Sequence, residues 1–250
     1  MQLKNGPVVF IGDIHGCVGS LRALLERLND SLTDRWIVFL GDLVDKRGNP
    51  KEIIEMVIDL MERHPKTVAL AGNHDLSFAR AIGVSPAPDN YWKGRYCRAR
   101  YSRPTFNSYG VTHGDLHTLT RVVPKRHKDF LANMPWCFEH DEILGVHAGL
   151  VPKKLVPHVE LPFGTTLEEQ LVMLRDREYS IQRPPWLHCQ SLSHTDVEEY
   201  PKYVISGHNT TSEVTMVGKH IHADTGVNYG GKLSAVFFPE LTSIGVSPIN

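Results

Sequence analysis

The sequence predicts an α/β protein whose strands are buried beneath helices, and three features predict it. Short runs rich in apolar residues recur at Val8–Gly12, Trp36–Leu40, Thr67–Ala71, Glu142–Val146 and Tyr203–Ser206. Runs of this kind read as strands covered on both faces, because a strand open to water on one side alternates apolar with polar. Segments with apolar residues at helical spacing separate several of these runs, as α/β packing requires. Each run also ends in a polar residue of one kind, Asp, Asn or His, beside a glycine or another small residue.

At 250 residues, with 41% hydrophobic and 22% charged residues, the chain has the make-up of one globular domain with a sizeable core. A formal charge of −1, from 27 basic and 28 acidic residues, argues against a global field for nucleic acid or an anionic membrane. Cys17, Cys97, Cys137 and Cys189 are widely spaced and read as reduced thiols. No signal-like leader precedes the first run, and no apolar stretch approaches the ~18 residues of a membrane span. The expectation is a soluble cytoplasmic protein with no separate nucleic-acid-binding module.

In chain order, Val8 to Gly16 (VVFIGDIHG) is a buried strand running into a turn that carries Asp13 and His15. Leu21, Leu24, Leu25 and Leu28 follow at helical spacing, with Ser20 as the expected N-cap. The second strand ends in Gly41-Asp42, and Asp45, Lys46 and Arg47 come before Pro50 opens a helix to Arg63. The third ends in Gly72-Asn73-His74-Asp75, and a helix continues through Ile82.

About 83–110 the chain becomes rich in Pro, Gly, Asn and Arg, which predicts a long loop or lobe inserted in a single domain spanning 1–250. Arg95, Arg98, Arg100 and Arg103 alternate there with Tyr91, Trp92, Tyr96 and Tyr101, a mix suited either to phosphate contact and base stacking or to a solvated loop. Lys125–Asn133 and Thr165–Leu174 read as helices, the fourth run ends at His147 and the fifth at His208. The tail supplies two more strands, from His220 and from Leu233.

Ligand sites of α/β sheets lie at the carboxyl ends of the strands. Five strand ends carrying Asp13 with His15, Asp42, Asn73, His147 and His208 are hard to explain by packing. Mixed nitrogen and oxygen donors suit Mn²⁺, Fe or Zn²⁺ and disfavour Ca²⁺. Six such donors suit a pair of divalent ions, which clamps a phosphoryl group for in-line displacement. Asp42, central in sequence, is the natural bridging carboxylate.

Gly12–Gly16 (GDIHG), Gly41–Gly48 (GDLVDKRG), Gly72–Asp75 (GNHD), His147–Gly149 (HAG) and Gly207–His208 resemble, in order, the signature of the phosphoprotein phosphatase family of calcineurin-like metallophosphoesterases. The likeness leans to the bacterial and phage branch related to symmetrical dinucleoside tetraphosphatases. It implies a β-sandwich of two mixed sheets flanked by helices, with two divalent ions, Mn²⁺ first among them. Carried over, one ion takes Asp13, His15 and Asp42, and the other Asp42, Asn73, His147 and His208. His74 becomes the general acid, oriented by Asp45.

The family's Asp-Arg-Gly is one residue longer here, Asp45-Lys46-Arg47-Gly48, so Arg47, preferred for its planar fork, or Lys46 binds phosphate. Arg177 is the expected second arginine and Arg175 its competitor. His113 and His222 read as supporting residues rather than ligands. The function expected first is hydrolysis of phosphomonoesters, as in a protein Ser/Thr or Tyr phosphatase. The alternatives are a symmetrical diadenosine tetraphosphate hydrolase, processing of RNA phosphates, and, from another class, a non-catalytic metal-binding module. The partner is a phosphorylated protein, a small phosphoester or a dinucleotide.

Overall fold

Two five-stranded mixed sheets stack face to face in this computed structural model, which describes residues 3–85, 90–152, 166–189 and 200–249. The first sheet is formed by β1 (Val8–Ile11), β2 (Trp36–Phe39), β3 (Thr67–Ala69), β9 (Leu233–Phe238) and β10 (Thr242–Val246), in the order β10-β9-β1-β2-β3. The second is formed by β4 (Cys137–Glu139), β5 (Ile143–Val146), β6 (Tyr203–Ser206), β7 (Thr215–Val217) and β8 (His220–His222), in the order β4-β5-β6-β8-β7. Each sheet has a run of three parallel strands, β1, β2 and β3 at one side of the first and β5, β6 and β8 at the middle of the second. Their remaining strands pair antiparallel.

Alternation along the strands builds the two interfaces. Val8, Phe10, Val38 and Leu40 point inward to meet Phe138, Ile143, Ile205 and Ile221 of the second sheet. Val9, Ile11, Ile37 and Phe39, one residue out of step, join the core on the helical side. Phe10 and Phe138 meet edge to face at 5.9 Å, and Gly145 leaves them room, since a Cβ there would lie 3.0 Å from the Phe10 ring. Burying each such side chain contributes about 1.5–3 kcal/mol.

Among the described residues the helices are α1 (Val18–Leu28), α2 (Pro50–Arg63), α3 (Asn73–Ala81), α4 (Asn90–Arg98), α5 (Arg103–Ser108), α6 (Leu116–Val122), α7 (Lys125–Asn133), α8 (Leu167–Asp176) and α9 (Pro185–His188). Asn49 caps α2 by accepting from the Glu52 amide at 3.3 Å, with Pro50 in the first turn. Thr166 and Glu169 form a capping box on α8, which starts after the expected position; Thr165 lies outside the described residues. Ser20 does not cap α1. The helix starts earlier, and Ser20, buried inside it, accepts from the Ile249 amide at 3.0 Å.

The expected loop about 83–110 is helical over α4 and α5; residues 86–89 lie outside the described residues. Trp92 and Tyr96, one turn apart on α4, and Phe106 on α5 are buried, so aromatic packing overrides the unfavourable Gly and Arg composition. Short β4, β7 and β10 carry too little pattern to be read in advance. No described helix is long and apolar enough to cross a membrane.

Candidate dinuclear metal centre

All six residues singled out as ligands come together where the parallel strands of both sheets end. Asp13 and His15 follow β1, Asp42 follows β2, and Asn73 opens α3 after β3. His147 and His208 follow β5 and β6 of the other sheet. Two groups have donor atoms close enough for one ion each, His15 with Asp42 and His74, and Asp42 with His147 and His208. Asp42 belongs to both. Its Oδ2 stands 3.4 Å from His15 Nε2 and its Oδ1 3.5 Å from His147 Nε2.

Asp13 approaches His15 Nε2 at 3.9 Å, and Asn73 Oδ1 approaches His147 Nε2 at 3.2 Å. The small residues beside the ligands make room for the carboxylates themselves. A Cβ on Gly72 would lie 2.2 Å from Asp42 Oδ1, and one on Gly207 would lie 2.1 Å from Asp13 Oδ1.

Backbone carbonyls aim the imidazoles. His15 Nδ1 donates to Val44 O at 3.0 Å, and His147 Nδ1 to Leu40 O at 2.8 Å, which turns each Nε2 inward. Asp13 is held by the His208 amide, 3.1 Å from both carboxylate oxygens. Asp75 ties two loops together, accepting from the Leu43 amide at 3.0 Å and the Gly72 amide at 2.9 Å. His15, Asp42, Asp45, Lys46 and His208 have left-handed backbone, with φ of 48°, 51°, 69°, 61° and 64°. Left-handed backbone is costly for residues with a Cβ, so these turns hold their shape for where they aim side chains.

The donor set fits divalent ions. His15 Nε2 and His208 Nε2 are buried with no hydrogen-bond partner, an expensive condition for bare acceptors. Burial keeps the His15, His147 and His208 rings neutral, with His208 pushed down to about 3. Burial, with Asp224 and Asp42 nearby, raises the Asp13 carboxyl. Neutral imidazoles and crowded carboxylates at one point are what a cation relieves.

His74, at the start of α3, donates through Nδ1 to Asp45 Oδ2 at 2.8 Å, while its amide reaches Asp42 Oδ1 at 2.9 Å. Burial would lower the His74 ring's pKa, but Asp42 and the hydrogen bond to Asp45 raise it. Asp45 is itself clamped by Tyr96 OH at 2.6 Å and Thr105 Oγ1 at 2.5 Å. Thr105, and the bond of Tyr96 to Asp45, were missed in the sequence. Tyr96 and Thr105 lie 51 and 60 positions away, in a segment that reads as loop, and no local pattern connects them to Asp45.

Lys46 and Arg47, the two cations between which the sequence left the choice, differ in surroundings. Lys46, left-handed like Asp45 before it, is half-buried with its ammonium 5.4 Å from the Tyr229 ring centre, and the negative charge of Asp42, Asp13 and Asp224 raises its pKa against burial. Arg47 is exposed beside Cys17. The later arginines are engaged elsewhere. Arg175 holds Glu139 through two 2.7 Å bonds, and Arg177 donates to Ala132 O at 2.9 Å over the Tyr179 ring. No described contact brings either to the cluster. His113 bonds Ser102 and Ala99 within the α4–α5 segment, and His222 is buried on β8 beside His220.

Residues 6–212 match the family model described as calcineurin-like phosphoesterase. Similar curated proteins include bis(5'-nucleosyl)-tetraphosphatase PrpE [asymmetrical] of Halalkalibacterium halodurans, 22% identical across 94% of this chain and 92% of the relative. The protein of that name from Bacillus mycoides is 24% identical over the same shares. Among solved structures, a protein proposed to be a diadenosine tetraphosphatase superposes with a TM-score of 0.59 at 20% identity, covering 98% of this chain and 95% of its own. A serine/threonine phosphatase from Saccharomyces cerevisiae superposes at 0.63 with 14% identity, covering 98% and 80%. With the sandwich, the ordered motifs and the converging His and Asp groups in agreement with the matched family model, the chain belongs to the calcineurin-like phosphoesterase family.

Proposed function

We propose that this protein hydrolyses phosphate esters and anhydrides of nucleotides at a centre of two divalent ions, with a dinucleoside tetraphosphate as substrate. The observation that carries the reaction is Asp42 shared between two ligand groups, with the His74–Asp45 pair beside it. The curated relatives named for bis(5'-nucleosyl) tetraphosphates support the substrate. In this reading Asp13, His15 and Asp42 hold one ion, and Asp42, Asn73, His147 and His208 the other. Bound there, the ions supply Lewis-acid polarisation of the phosphoryl oxygens and acidification of the attacking water.

The chain's own groups do the rest. Lys46 neutralises phosphoryl charge as a point cation, in place of the planar fork expected at Arg47. His74 gives a proton to the departing oxygen, and Asp45 fixes its tautomer by accepting from Nδ1. Tyr96 and Thr105 keep Asp45 from rotating away.

The test compares kcat/KM with Mn²⁺ for p-nitrophenyl phosphate, a phosphopeptide set and diadenosine tetraphosphate. A preference of ~100-fold for the dinucleotide, about 2.7 kcal/mol of transition-state discrimination, is expected. Products of ATP and AMP denote asymmetric cleavage, as in the relatives' name, and two ADP denote symmetric cleavage. A phosphopeptide preference makes the protein a protein phosphatase. Inactivity on all three with ions bound leaves a binding module.

A further inference from the structure

The geometry points to a leaving-group subsite on α4 and the turn after it, formed by Tyr91, Arg95 and Tyr101, which takes an anionic, base-bearing leaving group in preference to a neutral alcohol. The assignment rests on His74 as proton donor, because the group that receives the proton departs beside it. Tyr101 is the aromatic neighbour there, its ring meeting the His74 ring edge-on at 4.7 Å between centroids. The segment is also anchored to the catalytic turn, since the Lys46 amide donates to Tyr101 O at 2.8 Å.

From Tyr101 the contacts run outward to solvent. Arg95, whose charge is felt at Tyr101, donates to Tyr91 OH at 3.0 Å, with its guanidinium 5.8 Å from the Tyr91 and Trp92 ring centres. Arg95 is exposed and Tyr91 is 43% exposed, so a cation and an aromatic face are both presented to a ligand. Between residues 90 and 114 the chain has five basic residues and no acidic one, although the whole molecule carries −1. A neutral serine or tyrosine leaving group has no use for that charge. A departing nucleotide does, because it keeps its phosphate charge and its base can stack on an exposed ring.

The step balances without any further reagent. Water forms the new P–O bond and releases one proton. The P–O bond to the leaving nucleotide breaks with its electron pair on the bridging oxygen, which takes the proton from His74, and the released proton restores His74. Arg95 offsets the negative charge left on the departing phosphate chain.

The test measures kcat/KM on diadenosine tetraphosphate and on p-nitrophenyl phosphate for wild type, Arg95→Gln and Tyr91→Ala with Mn²⁺. It also measures inhibition of p-nitrophenyl phosphate hydrolysis by AMP and ATP. The dinucleotide-to-nitrophenyl ratio is expected to fall at least tenfold in each variant, and nucleotide inhibition to weaken alongside it. Arg95→Lys and Tyr91→Trp should restore much of the ratio, which a merely structural role would not require. A ratio unchanged in both variants overturns the subsite, as does a wild type active on phosphopeptide or nitrophenyl substrates and inactive on the dinucleotide. Wild type inactive on every substrate with ions bound overturns instead the hydrolase reading on which the subsite rests.

Discussion

His74 stands where a metal ligand and a proton donor are both in reach of the same carboxylate. It groups with His15 and Asp42 as a possible ligand, yet its Nδ1 is committed to Asp45 at 2.8 Å. A proton donor and a ligand respond differently to substitution. His74→Asn is expected to lower kcat by about 10²–10⁴ while metal analysis still finds the wild-type ion content. Loss of an ion in that variant would make His74 a ligand and remove it as the acid. Lys46 teaches a second lesson at this scale. The extra residue in Asp45-Lys46-Arg47-Gly48 was visible in the sequence, but the two left-handed φ values at Asp45 and Lys46, which set where the following side chains are aimed, are not encoded in composition.

At the scale of elements, strands that end in candidate ligands were legible because burial writes continuous apolar runs and Asp, Asn and His follow them. The α4–α5 segment was not legible as helix, because its stability comes from Trp92, Tyr96 and Phe106 packing against the body rather than from propensity. The joint between α2 and α7 was also hidden. His127 on α7 pairs with Glu55 on α2 at 2.6 Å and with Tyr109 OH at 2.7 Å, while Arg126 reaches Glu55, Asp59 and Glu62. Burial lowers the His127 pKa despite Glu55. The unfolded chain then binds the extra proton more readily, so acidification below about 6.5 favours unfolding. Thermal midpoints should fall as pH drops through that range. His127→Gln, which cannot titrate, should flatten the fall, and an unchanged slope would place the effect elsewhere.

For the whole molecule, two sheets contribute candidate ligands to one edge, so ions bound there would couple the halves of the sandwich as well as serve chemistry. Chelation is therefore expected to lower the unfolding midpoint by about 5–10 °C at ion concentrations ~100-fold above Kd, measured by calorimetry with and without EDTA. No change would mean that the ions bind folded and unfolded chains alike or that the site is weakly occupied.

The five left-handed residues of the centre carry a further consequence. At roughly 1 kcal/mol or more each, they amount to about 5 kcal/mol, a sizeable part of the ~5–15 kcal/mol that holds a typical domain folded. A duplicated copy of this gene released from catalytic duty would gain by drifting toward glycine or asparagine at these turns. Its first substitutions would be expected at His15, Asp42, Asp45, Lys46 and His208, and they would erase the chemistry while making the protein easier to fold.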